Sequence, residues 1–377
     1  MADILTHLRE LSVGFVFASK KSIKDIDPEY FLKICRENIK NCENLDIVQI
    51  SKDMTCFDRT ELNTIGNGLQ LGNAIRKYFK ISEKPSINWL GGCTQSGTVV
   101  DLIIDKYRFS LKEDSHILEN MGLYKLLNTL TGEEKFSRGL HCFEHFSKTS
   151  LNNWFSITKE IIISELKKKA FIIKKEYMSR AFLEDGNLHL EFYRNNCLSD
   201  SSILENFKDT TYDDFLDKTN GIIREKIFAK LISERLSGDE KYIKAKSDCA
   251  KEAGKAIIRY LSGHIGKSPV TLARFFRFEN DEYYYAKTTD KFIEIFKVPS
   301  LNTFKKNVSI KDIQYSVPSS QLNIITTIQN KTSKQEIEFR NELRYSHGQF
   351  NGTPEAKLYI KEGSLDILCV KEYEAKK

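Results

Sequence analysis

The chain lacks any apolar run close to the roughly 20 residues needed to cross a bilayer, so no segment is a candidate membrane helix. It also lacks a Cys-x-x-Cys pair. The eight cysteines (Cys35, Cys42, Cys56, Cys93, Cys142, Cys197, Cys249 and Cys369) stand singly, which excludes a zinc ribbon and a dithiol redox motif. Free thiols in a reducing compartment are expected in place of disulfides. Met1 to Phe17 carries Asp3 and Glu10 and shows no cleavage site, so no signal peptide is expected and the location is read as cytoplasmic. No internal repeat, low-complexity tract or Pro/Gly/Ser-rich linker interrupts the chain. No Gly-x-Gly-x-x-Gly with an acidic partner is present, which argues against a dinucleotide cofactor. Gly266-Lys267-Ser268 resembles the end of a phosphate-binding loop, but the upstream glycine position holds Leu261 and Pro269 blocks the helix that should follow.

What remains is the composition of a folded α/β protein. The 377 residues are 40% hydrophobic and 29% charged, enough to bury one large core or two modest ones. Lysine and arginine exceed aspartate and glutamate, 58 against 52, giving a net charge of +6. That balance favours a polyanionic partner, although a Lys-, Ile- and Asn-rich composition also follows from an AT-rich genome.

Patterning divides the chain by texture. The first eighty residues read as mainly helical, with helices over Glu29–Ile39 and Arg59–Phe79, the latter weakened by Gly66, Gly68 and Gly72. Strands are expected at Ile87–Leu90, Val99–Asp105 and Arg108–Asp114, followed by a helix from Ile117 to about Leu130. Residues 151–268 read as helix-rich and basic, with a lysine run at Lys167, Lys168, Lys169, Lys174 and Lys175 and further helices over Tyr212–Leu236 and Tyr242–Leu261. Residues 269–377 read as β-rich. An aromatic hairpin is expected over 273–287, then strands at Phe292–Phe296, Leu322–Ile328, Glu336–Tyr345 and Ala356–Ile360. The expected division is 1–150, 151–268 and 269–377, or a single domain with an elaborated insertion.

The chemistry concentrates after a Gly/Ser/Thr-rich approach, Gly91 to Thr98, in Val99-Val100-Asp101-Leu102-Ile103-Ile104-Asp105 and Arg108-Phe109-Ser110-Leu111-Lys112-Glu113-Asp114. A two-residue turn at Lys106-Tyr107 places Asp101 opposite Lys112, and Ser110, Lys112 and Asp114 then share one strand face. A carboxylate holds Mg²⁺, the metal polarises a phosphate and acidifies a bound water, and a lysine serves that water and offsets developing charge. A surface ion pair is the alternative for Asp101 and Lys112, but both lie inside apolar runs where an unused charge is costly.

This arrangement resembles the PD-(D/E)XK nuclease superfamily, which includes most type II restriction endonucleases. Asp101 matches the first acid and Lys112 the lysine, while Ser110 stands at the middle acid and Val100 at the weakly kept proline. The resemblance spans roughly residues 60–130. It implies an α/β (α+β) fold with a mixed central sheet flanked by helices, here with a helical insertion and a β-rich C-terminal part. It further implies a Mg²⁺ cofactor, double-stranded DNA as substrate, a homodimer and a cognate DNA methyltransferase. The missing acid is assigned to Glu61 on the preceding helix, or to Asp114 or Glu113 beyond the lysine. Ser110 is expected to hydrogen-bond near the centre.

Two further constellations stand out. His141 and His145 are spaced to share a helix face, but Cys142 occupies the position a metalloprotease gives to glutamate and no third ligand is in view, so zinc is not expected. The stretch 338–357 is dense in base-reading types. Arg340, Asn341, Arg344, His347, Gln349 and Asn351 are candidates for a DNA-reading ribbon, against an ordinary polar hairpin. The alternative to a nuclease is a non-catalytic nucleic-acid-binding protein using basic helices at 160–180 and 224–260.

Overall fold

The computed structural model describes residues 4–91, 98–113, 117–131, 142–175, 177–264, 278–289, 291–345, 347–352, 354–363 and 365–377. Three helices lead: α1 (Ile4–Ala18), α2 (Pro28–Asn38) and α3 (Arg59–Phe79). Asp27 caps α2 by accepting from Tyr30 N, with Pro28 in the first turn, where its missing N–H costs nothing. Asp58 and Glu61 form a reciprocal capping box on α3. The glycines that lower the helix propensity of α3 have a packing role. A Cβ on Gly68 or Gly72 would meet Arg9 O, Ser12 Cβ or Val13 O at 2.6–2.8 Å, so α1 and α3 pack this closely only because those positions are glycine.

The central sheet runs β1 (Ile87–Trp89), β2 (Leu102–Ile104), β3 (Tyr107–Glu113), β9 (Tyr283–Thr288), β10 (Phe292–Val298), β15 (Val370–Lys376). It is mixed: β3 and β9 are parallel and every other neighbouring pair is antiparallel. The chain between β3 and β9 builds the rest of the molecule. It comprises β4 (Ile117–Gly122), α4 (Leu123–Thr131), α5 (Cys142–Lys168), β5 (Phe171–Lys174), β6 (Met178–Glu184), β7 (Asn187–Arg194), β8 (Cys197–Leu204), α6 (Tyr212–Lys218), α7 (Gly221–Ile223), a π-turn (Arg224–Phe228), α8 (Ala229–Arg235) and α9 (Glu240–His264). After β10 come α10 (Leu301–Asn307), β11 (Val308–Ser316), β12 (Asn323–Asn330), β13 (Glu336–Arg344) and β14 (Glu355–Glu362). A second sheet has the order β11-β12-β13-β14-β4 and a third the order β5-β6-β7-β8.

Side-chain alternation puts the central sheet between two cores. Leu102, Ile104, Phe109, Leu111, Ala286, Ile293 and Ile295 face α1, α2 and α3 in one core. Tyr283, Tyr285, Phe296 and Val298 belong to the other, which α5, α9 and the second and third sheets complete. The N-terminal core therefore includes strands from the C-terminal third, and the boundaries at 150 and 268 do not separate the cores.

Several expectations need correction. The stretch 117–122 is a strand, because antiparallel pairing with β14 overrides the helix-forming Leu118-Glu119-Asn120-Met121. Helix α5 ends at Lys168, and residues 171–204 form the third sheet in place of a helix. Phe171 and Ile173 alternate inward while Ile172 and Lys174 alternate outward, which is a strand period. The aromatic segment at 283–288 pairs with β3 and β10, and the expected first arm, 273–277, lies outside the described residues. Helices over Arg59–Phe79 and Tyr242–Leu261 and the strands at Phe292, Leu322, Glu336 and Ala356 are present within a few residues of expectation. Among the described residues, no helix is long and apolar enough to cross a membrane.

Candidate functional site

Asp101 stands just before β2, where the ladder leaves backbone groups to be satisfied. Its own N–H donates to Phe109 O at 2.8 Å, while its Oδ2 accepts from Leu111 N at 2.7 Å and from Ser110 Oγ at 3.4 Å. Lys112 Nζ approaches the same Oδ2 at 3.8 Å, and the two side chains are 16% and 19% exposed, so the pair is held by the protein yet reachable from solvent. Oδ1 of Asp101 accepts no hydrogen bond among the described residues.

The register differs from expectation in an informative way. The turn is Asp105-Lys106, with Asp105 at φ 52°, so Ile104 pairs with Tyr107 and Leu102 with Phe109. Asp101 consequently lies across from Ser110 and not Lys112. Moving a turn by one residue shifts the pairing by two, which preserves the face on which each side chain emerges. Asp101, Ser110 and Lys112 still converge.

A third charged group comes from an element the sequence left unassigned. Glu10, on α1, is 3% exposed and accepts from Trp89 Nε1 at 2.8 Å. Gly91 provides the space, since a Cβ there would collide with the Glu10 carboxylate and Trp89 Nε1. Burial first, and then the negative charge of Asp101, push the Glu10 pKa up to about 7. The Trp89 hydrogen bond and the positive charges of Arg9 and Lys112 oppose that rise. Glu10 is thus a buried acid beside a second carboxylate, its ionisation resisted first by burial and then by that neighbour. The only sequence signal for Glu10 was an acid on the buried face of an apolar helix.

A second lysine joins the same face. In the parallel pairing of β3 with β9, Lys287 stands beside Lys112 and Tyr285 beside Ser110. The approach to Asp101 is fixed by Glu279, whose Oε1 accepts from Thr98 Oγ1 at 2.8 Å and Val99 N at 2.7 Å. Its Oε2 accepts from Arg108 Nη2 at 2.8 Å, and Arg108 also pairs with Asp281 at 2.6 Å.

The other expected residues are placed as follows. Glu61 is a structural acid. It is 2% exposed, and its carboxylate accepts from Asp58 N, Lys52 N and Ser51 Oγ at 2.8–3.1 Å, which commits both oxygens to the start of α3. Asp114 and residues 92–97 of the Gly/Ser/Thr-rich approach lie outside the described residues, as do His141 and 266–268. Glu113 ends β3, its backbone paired with Thr288.

The DNA-reading ribbon is not a free ribbon. β13 is paired on both sides, with β12 and β14, and β14 is paired with β4 in turn. Asn341 is fully buried in the sheet's inner face beside Phe339 and Leu343, so it cannot reach a base. Asn351 accepts from Arg224 Nε and donates to His347 O, both at 3.0 Å, and thereby fixes the loop. Arg340 lies over the Tyr359 ring at 4.9 Å, and Gln349 is half-buried. Arg344 and His347 reach solvent, paired with Glu342 and Glu225 at 3.4 Å each. Arg340 and Arg344 share their face with Glu336, Glu338 and Glu342, so acids outnumber arginines along that row and it gives little attraction to a polyanion.

Cys35, Cys42, Cys56, Cys197, Cys249 and Cys369 are free thiols. Comparison with known proteins finds no matching family model, no similar curated protein and no similar solved structure.

Proposed function

We propose that the protein is a Mg²⁺-dependent endonuclease that hydrolyses phosphodiester bonds of double-stranded DNA, in the manner of a type II restriction endonuclease. The observation that carries this reading is the meeting of Asp101 and Lys112 from adjoining β-segments at 3.8 Å, part-exposed, with Glu10 close enough to feel the Asp101 charge.

Among the described residues no group of three or more His, Cys, Asp or Glu side chains is arranged to hold a metal ion. Mg²⁺ does not require one, since it keeps several waters and is commonly held by one or two carboxylates. The donor set here is hard oxygen, and Glu10, whose pKa is raised first by burial and then by the Asp101 charge, stands beside a second carboxylate. Asp101 and Glu10 therefore fit the ion. Bound Mg²⁺ supplies Lewis-acid polarisation of the phosphate and acidifies water. Lys112 orients the attacking water and offsets the charge that develops on the phosphate, and Lys287 adds a second positive charge on the same face. Ser110 and the Leu111 amide hold the Asp101 carboxylate in place. A cut through both strands needs two such centres, which a homodimer provides. A companion DNA methyltransferase would protect the same sites in the host.

Asp101→Ala and Lys112→Ala are each expected to abolish cleavage while retaining DNA affinity in a filter-binding assay. Normal cleavage by either variant overturns the site.

A further inference from the structure

The net charge of +6 is not spread evenly along the chain. Residues 298–335 carry five lysines, no arginine and a single acid, Asp312, so a tenth of the sequence holds +4 of that excess. Surfaces ordinarily intersperse the two signs, whereas lysines without acids set up a field of one sign.

The fold gathers most of these lysines in one place. Strand β11 begins against the end of β12, with Val308 paired to Asn330, so the C-terminal end of α10 lies beside the turn joining β12 to β13. Lys331 fixes that junction, its backbone N–H donating to Asn307 O at 2.8 Å and its Nζ to Lys305 O at 3.1 Å. Lys305 and Lys306 therefore stand next to Lys331 and Lys334, and all but the half-buried Lys305 are exposed. The fifth lysine, Lys311, is neutralised by Glu336. Among the described residues the other four meet no carboxylate within ion-pair distance. The neighbouring turn Leu365–Ile367, whose Ile367 O accepts from Asn330 Nδ2 at 3.2 Å, adds one acid, Asp366, against those four charges.

The same helix ties the cluster to the candidate centre. At the start of α10, Leu301 N donates to Glu279 O at 2.7 Å, and Glu279 is the residue whose carboxylate holds Val99 N beside Asp101. Followed along these bonds, the far end of α10 lies within roughly 25 Å of Asp101, less than the roughly 34 Å of one duplex turn.

We infer that Lys305, Lys306, Lys331 and Lys334 form the surface on which the phosphate backbone of duplex DNA docks. The grouping follows from charge and packing; the choice of duplex DNA as its polyanion rests on the nuclease reading.

Fluorescence anisotropy of a labelled duplex of about 30 bp, titrated with the full chain in EDTA at several salt concentrations, tests this. Replacing the four lysines by alanine should lower the slope of log affinity against log salt by about 3, and raise the dissociation constant in ~0.1 M salt at least tenfold. Lys306→Glu with Lys334→Glu, whose side chains bond to nothing else among the described residues, should weaken binding in the same direction, with folding verified by circular dichroism. Alanine at Lys241, Lys244, Lys251 and Lys255 removes as many charges from the exposed side of α9 and should leave the slope unchanged. A slope that the four substitutions do not lower overturns the proposal, as does an equal loss from the α9 set or a wild-type chain that does not bind the duplex. Plasmid cleavage in Mg²⁺ is the separate readout. Cleavage by a chain whose binding ignores these lysines refutes the docking surface alone, whereas lysine-dependent binding with intact plasmid supports the surface and refutes the nuclease reading.

Discussion

At the Glu10 carboxylate, burial and the neighbouring Asp101 charge both resist ionisation, and the consequence is measurable as stability. Between about pH 4.5 and pH 7 the folded chain retains a proton there that the unfolded chain has released, so folding stability falls as pH rises through that window. A shift of this size corresponds to about 3 kcal/mol once both states are ionised. Glu10→Gln removes the titration. In urea titrations without divalent ions, the variant should be more stable than the parent at pH 8 and little changed at pH 5. Mg²⁺ should stabilise the parent at pH 8 and the variant much less, because the ion binds an ionised carboxylate far better than an amide. Equal pH dependence in the two proteins would contradict the assigned environment of Glu10. Glu61 is a structural acid whose oxygens accept from the Lys52 and Asp58 amides and the Ser51 hydroxyl. Glu61→Ala should cost about 1 kcal/mol as a lost cap and leave the rate of any cleavage unchanged.

At the scale of elements, the hairpin of β2 and β3 shows how far pattern reasoning reaches. Its apolar alternation placed Asp101, Ser110 and Lys112 on one face, and that survived the displaced turn because parity is insensitive to a one-residue move. The turn itself was misplaced because Asp105 adopts a left-handed φ that a short polar side chain tolerates, a fact local to the backbone. Helix α3 was legible from its apolar period. Strand β4 and the third sheet were not, since their stability lies in pairing with residues distant in sequence or in a meander whose first strand continues a lysine-rich helix. Glu10 was invisible for a similar reason, as its partners Trp89 and Asp101 are 79 and 91 positions away. Two substitutions probe these placements. Gly91→Ala should displace the Glu10 carboxylate, lower the Mg²⁺ stabilisation and reduce cleavage, with the fold retained by circular dichroism. Glu279→Ala should release Thr98 and Val99, seen as faster hydrogen exchange at the Val99 amide, and slow catalysis by disturbing the approach to Asp101.

For the whole molecule, the position of the central sheet between two cores explains why the candidate centre is both rigid and reachable. Asp101 and Lys112 lie just before β2 and on its neighbour β3, beside the parallel strand β9 that pairs with β3 and returns only after the insertion that builds the larger core. The six candidate base-reading residues divide on the same grounds. Arg344 and His347 reach solvent, while Asn341 and Asn351 serve the interior and the loop. Arg344→Ala, on a face whose acids offset its charge, should change DNA affinity little and leave the chemical step unaltered, whereas Asn341→Ala should act on stability alone. The most direct test of the central claim is incubation of the full chain with supercoiled plasmid in Mg²⁺, resolved on an agarose gel beside Asp101→Asn. Discrete linear fragments from the parent and none from the variant are predicted. Intact plasmid with the parent, or the same fragments with the variant, would contradict it.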